Sequence, residues 1–151
     1  MKKIAVLVLL NFICVSIFAQ VKFETDFQKA KRDATEKRKL ILLNFSGSDW
    51  CGPCMQMRKD FFENAGFQKM ADSCLVLVNA DFPQKKKNKP AADIQEQNNA
   101  LAELYNKEGS FPYTVLLNMK GEVIAKFNGK PKYSVQEFIT ILKKQIDNNT
   151  N

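Results

Sequence analysis

The sequence predicts one α/β domain, a mixed β-sheet with helices on both faces. Three observations carry this. Residues 40–45 and 74–81 are nearly continuous apolar runs, the pattern of strands covered on both sides. Helical stretches separate these runs, so the two strands are expected to lie parallel. Residues 113–118 and 123–127 flank a short turn containing Gly121 and read as an antiparallel hairpin.

Taken in order, Met1, Lys2 and Lys3 form a charged start, and residues 4–18 form an apolar stretch broken by Asn11 and Ser16. Ala19 fits the position before a cleavage point. This is a secretory signal peptide pattern, and the run is short for a membrane span. The expectation is a signal segment over residues 1–19 and a folded domain over 20–151. Contact with a membrane is then limited to the uncleaved segment. The destination is the periplasm first, the medium second. Cys14 lacks the preceding small residues of a lipid-attachment signal and leaves with the segment.

Thr25 and Gln28 are spaced as a capping box, with Thr25 as N-cap. A polar helix follows to about Lys39, with Phe27, Ala30 and Ala34 on one face. After the first strand a helix is expected through Glu63, and Asn64 caps another through Met70. Cys74 heads the second strand. Residues 83–90 hold two prolines and four lysines and are expected to be irregular. Residues 91–106 read as a helix with Ile94, Leu101, Leu104 and Tyr105 on one side. Ser134 and Glu137 make a second capping box. The helix it opens places Val135, Phe138, Ile139, Leu142 and Ile146 three and four apart, and the tail from Asn148 to Asn151 is expected to fray.

A chain of 151 residues, 45% apolar, is sufficient for one buried core and excludes a disordered chain. No internal repeat is present. The formal charge is +7, yet the basic stretch has no interleaved aromatics, which argues against nucleic acid as partner. A monomer is expected.

Cys51 and Cys54 lie where the first strand gives way to a helix. Unpaired backbone N–H groups and the helix dipole favour negative charge at a helix start, so a Cys51 thiolate is stabilised there. Three readings stand at this point: a catalytic dithiol, half of a zinc site, or a structural disulfide. Zinc needs four ligands, and the sequence has no histidine and, beyond the signal segment, one further cysteine, Cys74. The strand-to-helix placement favours the dithiol. Cys74 reads as a small buried apolar residue.

The string Trp50-Cys51-Gly52-Pro53-Cys54 resembles the active-site motif of the thioredoxin family, and the resemblance extends over residues 21–147. It implies the thioredoxin fold and a thiol–disulfide oxidoreductase of the protein-disulfide reductase type. Cys51 is then the nucleophile and Cys54 the resolving thiol, the two closing a Cys51–Cys54 disulfide. Protein or peptide disulfides are the implied substrates, with an unidentified electron donor, no metal and no organic cofactor. Pro112 stands where the family carries a cis-proline facing the cysteines. There the backbone of Phe111 is placed to pair with an extended substrate segment. Phe111 itself departs from the smaller aliphatic residue common in thioredoxins. Trp50 is expected as a partly exposed ring; with Gly52, Pro53, Phe111 and Pro112 it forms the expected substrate-binding surface. Gly52 and Pro53 resemble reducing thioredoxins more than oxidants.

Two departures bear on mechanism. The family's buried aspartate corresponds to Asn44 and its neighbouring lysine to Leu77. An amide takes no proton, and losing both partners together avoids an unpaired buried charge. Asp49 or water is left to replace the aspartate. The opposing functional reading is a binding or adaptor module that keeps the fold without turnover. Because parallel strands end at a common edge, residues 82–90 are expected beside Cys51. Lys85, Lys86, Lys87 and Lys89 would then lie within about one Debye length of it.

Overall fold

The computed structural model describes residues 22–150. The expected signal segment 1–19, with Cys14 and Ala19, and the terminal Asn151 lie outside the described residues. The elements are α1 (Phe27–Lys37), β1 (Leu40–Ser46), α2 (Gly52–Met57), α3 (Ala65–Cys74), β2 (Leu75–Asp81), α4 (Ala92–Tyr105), β3 (Tyr113–Leu117), β4 (Val123–Asn128) and α5 (Val135–Thr150). A π-helical turn, Arg58–Phe62, continues α2.

The strands are ordered β2-β1-β3-β4. β1 and β2 run parallel, in register from Leu40 opposite Leu75 to Ser46 opposite Asp81. β3 is antiparallel to both β1 and β4. This mixed sheet with helices on both faces is the expected thioredoxin fold. The free side of β2 is partly covered by Glu24, whose N–H donates to Leu77 O and whose carbonyl accepts from Asn79 N.

Alternation along β1 splits the core in two. Leu40 and Leu42, with Leu75 and Leu77, pack with residues of α2, α3 and α5. Ile41, Leu43 and Phe45, with Val76 and Val78, meet α1 and Leu101 of α4. Burial on both faces is why the strand reads as a continuous apolar run. In the first layer Phe138 is fully buried against the rings of Phe61, Phe67 and Phe127, with centroids 5.6, 6.3 and 5.2 Å away. The π turn, closed by Glu63 N donating to Arg58 O, carries the consecutive Phe61 and Phe62 into this layer.

Several boundaries differ from expectation. Asp26, not Thr25, caps α1: its Oδ1 accepts from Lys29 N at 2.9 Å. α1 ends at Lys37 because Arg38 turns left-handed (φ 53°), a stop that no glycine marks in the sequence. α3 runs four residues past Met70, so Cys74 closes a helix instead of heading a strand; its thiol donates to Met70 O. Leu104 is exposed, while Asn98 and Asn106 take buried positions at α4 and its end. Their amides explain this: Asn98 Nδ2 donates to Asp81 O, and Asn106 bonds both ways with the Ser110 backbone. Residues 86–88 of the lysine loop form one 3-10 turn, and α5 runs on to Thr150, over the described part of the tail expected to fray.

Removing the ring at the centre of the first layer tests this packing. Phe138→Ala is expected to cost about 3–5 kcal/mol, read as a lowered denaturant midpoint of the oxidised protein. A loss below about 1 kcal/mol would remove Phe138 from the core.

Candidate active site

After β1 the chain makes a tight turn in which Gly47 O accepts from Trp50 N and Cys51 N. A Cβ on Gly47 would lie 2.3–2.5 Å from atoms of the Trp50 indole. Glycine is required there by that close approach, a constraint the sequence reading missed. Cys51 then caps α2, its Sγ accepting from Cys54 N at 3.2 Å. Gly52 and Pro53 fill the first positions of the helix, where a missing N–H leaves no bond unmade. Cys51 and Cys54 are joined in a disulfide with Cα atoms 5.2 Å apart. Each residue is 5% exposed.

An aromatic surface adjoins the disulfide. Trp50 is 41% exposed, and its Nε1–H donates to Phe82 O at 2.7 Å. The Phe111 ring stands 5.5 Å from both the Trp50 and the Phe82 rings. The Phe111–Pro112 peptide bond is cis, and Pro112 is buried. Trp50, Phe111 and Phe82 thus share one ring surface, with Pro112 next to Phe111 in the chain.

Behind the disulfide lies a polar chain. Thr114 Oγ1 donates to Asn44 Oδ1, and Asn44 Nδ2 donates to Asn79 Oδ1 at 2.9 Å. Ser46 Oγ reaches both Asn79 Oδ1 and Asp81 Oδ1, and Ser48 donates to Asp81 through its N–H and its hydroxyl. Asn44, Ser46, Ser48, Asn79 and Cys54 line one pocket of about 110 Å3, with Arg58 at its side. Leu77 takes no part; it is buried opposite Leu42 in the apolar layer. The residue beside Asn44 on β2 is Asn79, by the parallel register. The register, which the sequence does not state, thus puts Asn79 and not Leu77 beside Asn44.

Asp49 is engaged with the loop after β2. Its carboxylate accepts from Gln84 N, Lys85 N and Asn88 Nδ2 at 2.8–3.0 Å. Partial desolvation opposes ionisation, but these bonds and the Lys85 charge outweigh it and hold the carboxyl below its ordinary pKa. Asp49 therefore anchors the lysine loop.

The family model for thioredoxin-like proteins matches residues 22–118. The chain belongs to the thioredoxin-like family. It is 30% identical over 113 residues to the disulfide bond reductase DsbH of Chlamydia pneumoniae, across 75% of this chain and 66% of that protein. To the thioredoxin-related protein DsbJ of the same organism it is 33% identical over 99 residues, 65% of this chain and 27% of DsbJ. The chain thus spans less than two thirds of either relative. The solved structure of a DsbH oxidoreductase superposes with a TM-score of 0.77 at 27% identity, covering 85% of this chain and 86% of that one.

The anchor carries a pH signature. A carboxyl whose pKa is lowered by folding keeps its bonds through the ordinary carboxylate range and releases them as the pH falls further. The amide shifts of Gln84 and Lys85 are expected to move together below pH 3.8, the ordinary aspartate value. In Asp49→Asn that movement is absent. A midpoint above 3.8 overturns the assignment.

Proposed function

We propose that this chain is an exported thiol–disulfide oxidoreductase that reduces disulfides in protein or peptide substrates. The observation that carries the reading is the Cys51–Cys54 disulfide at the start of α2, beside the cis Phe111–Pro112 bond. DsbH, a disulfide bond reductase by name, supports the reducing direction; the periplasm is the place of action in this reading. The N-terminal pattern at residues 1–19 supports export.

In the reduced protein the Cys51 thiolate attacks one sulfur of a substrate disulfide. A mixed disulfide forms, and the first substrate sulfur leaves as a thiolate that takes a proton from solvent. Cys54 then loses its proton and attacks Cys51 Sγ. The Cys51–Cys54 bond forms, the second substrate thiolate leaves, and the substrate has gained two electrons and two protons. A donor dithiol reverses the exchange on the protein. The half-exposed rings of Phe111 and Phe82 and the half-exposed Gly52, with exposed Trp50 and Pro53, face the incoming segment. Pro112 sets the start of β3 beneath it.

Proton removal from Cys54 differs from the family scheme. Asn44 accepts no proton, and Asp49 is committed to the loop. The pocket shared by Cys54, Asn44, Ser46, Ser48 and Asn79, closed on its apolar side by Phe23 and Phe62, is large enough for water and offers it polar partners. Water is the proton acceptor in this reading.

Dithiothreitol-driven insulin reduction separates the reading from a binding module without turnover. Wild type is expected to accelerate precipitation, and Cys51→Ser to abolish it. Cys54→Ser is expected to accumulate mixed disulfides that Cys51→Ser does not form. Faster alkylation of Cys54 than of Cys51 in the reduced protein would reverse their roles.

Asn44→Asp tests proton handling. A carboxylate at this site is expected to speed mixed-disulfide resolution near neutral pH by about tenfold or more. It removes the donor to Asn79 Oδ1, so stability is expected to fall by about 1–3 kcal/mol. An unchanged single-turnover resolution rate, with the variant folded, rules out proton transfer as the limiting step.

A further inference from the structure

The loop between β2 and α4 is built into the edge that carries the disulfide. β1 and β2 end together at Ser46 and Asp81, and Phe82 N donates to Ser46 O at 2.8 Å. Asp49, two residues before Cys51, binds the loop at Gln84, Lys85 and Asn88. Trp50, next to Cys51, binds it at Phe82. From the other side, Asn98 of α4 holds Asp81 O. The 3-10 turn Lys86–Asn88 closes the loop on itself, with Asn88 N donating to Lys85 O at 2.9 Å.

This fixed backbone displays four lysines. Between Phe82 and Ala91 the sequence has Lys85, Lys86, Lys87 and Lys89 and no acidic residue. All four side chains are exposed, and none is in a salt bridge among the described residues. The nearest carboxylate, Asp49, has its oxygens occupied by two backbone N–H groups and an amide. The next acidic residue along the chain, Asp93, belongs to α4. Four like charges on one short anchored loop repel one another, and Asp49, the carboxylate that binds the loop, offsets at most one of them. Their field, which reaches about 8 Å before salt screens it, therefore extends from the edge that carries the disulfide. Phe82 ties this charge to the ring surface, since it packs on Phe111 while its carbonyl holds Trp50.

We propose that the lysine loop and the Trp50–Phe82–Phe111 surface form one docking site for an acidic, disulfide-bearing polypeptide. Apolar residues next to the partner's disulfide rest on the rings, and its flanking carboxylates meet the lysines. This inference rests on the proposed reductase reading and names the substrate class for that site.

The test uses the folded, oxidised and reduced forms of the whole chain with two synthetic peptides. Both contain the same internal disulfide; one is flanked by glutamates, the other by glutamines. Oxidised protein is titrated with each peptide, reporting on Trp50, the one tryptophan. Reduced protein is mixed with each peptide in stopped flow at low and high salt. The variant is K85Q/K86Q/K87Q/K89Q. Wild type is expected to react with the acidic peptide at least about tenfold faster than with the neutral one at low salt, the two rates converging at high salt. The variant is expected to treat both peptides alike and to match wild type on the neutral peptide, which shows that its dithiol chemistry is intact. Equal wild-type rates and affinities for the two peptides, or an acid preference that survives in the variant, overturn the proposal. Lysine-dependent acidic binding without reduction of either peptide overturns the reductase reading and leaves the docking site standing.

Discussion

The parallel, in-register pairing of β1 with β2 is the constraint from which the site follows. Each pair from Leu40–Leu75 to Ser46–Asp81 aligns side chains that share a face. Their apolar members fill the two core layers, so a one-residue slip would turn both layers inside out. The polar members at the far end are aligned by the same register. It sets Asn44 against Asn79 and Ser46 against Asp81, and it releases both following loops at one edge. The cysteine turn and the lysine loop are neighbours because two hydrophobic strands end together.

The polar chain behind Cys54 is the buried consequence of that alignment. A lone carboxylate at position 44 would be costly in this buried site, because a buried charge without a partner loses much of its hydration. Asn44 avoids that cost. Its amide donates to Asn79 and accepts from Thr114, so the buried polar side chain is satisfied without charge. The same exchange removes a strong base from beside Cys54. Stability and proton transfer thus pull in opposite directions at one residue, and this chain has settled on the uncharged form.

The fold was legible because its signals are local and redundant. Continuous apolar runs marked β1 and β2, the Gly121 turn marked the hairpin, and Ser134 marked α5 through its bond to Glu137 N. The cysteine pair, Trp50 and Pro112 were legible as one motif with its context. What was missed depends on contacts distant in sequence. Asn98 looks like a break in an apolar face until Asp81 O stands opposite it. Leu104 fits the periodicity of α4, yet it stays exposed. Asp49 reads as a spare carboxylate until residues 84–88 fold over it, and Asn79 is selected by register alone. Gly47 is explained by the position of an indole three residues away.

The lysine loop has two electrostatic routes to function, and magnitudes separate them. A unit charge about 10 Å from Cys51 in water favours the thiolate by on the order of 0.4 kcal/mol before salt, and ionic screening reduces this further. The thiolate is a single charge already served by the start of α2, so the added stabilisation is small. An approaching acidic segment carries several charges, and its attraction scales with the product of its charge and that of the loop. The same four lysines therefore act more strongly on encounter than on sulfur reactivity. Long-range attraction alone does not orient a partner. Orientation requires that the charges keep a fixed relation to the disulfide, and the bonds from the loop to Asp49 and Trp50 provide it. A freely moving tail with four lysines would raise the encounter rate without favouring the pose in which a substrate sulfur meets Cys51.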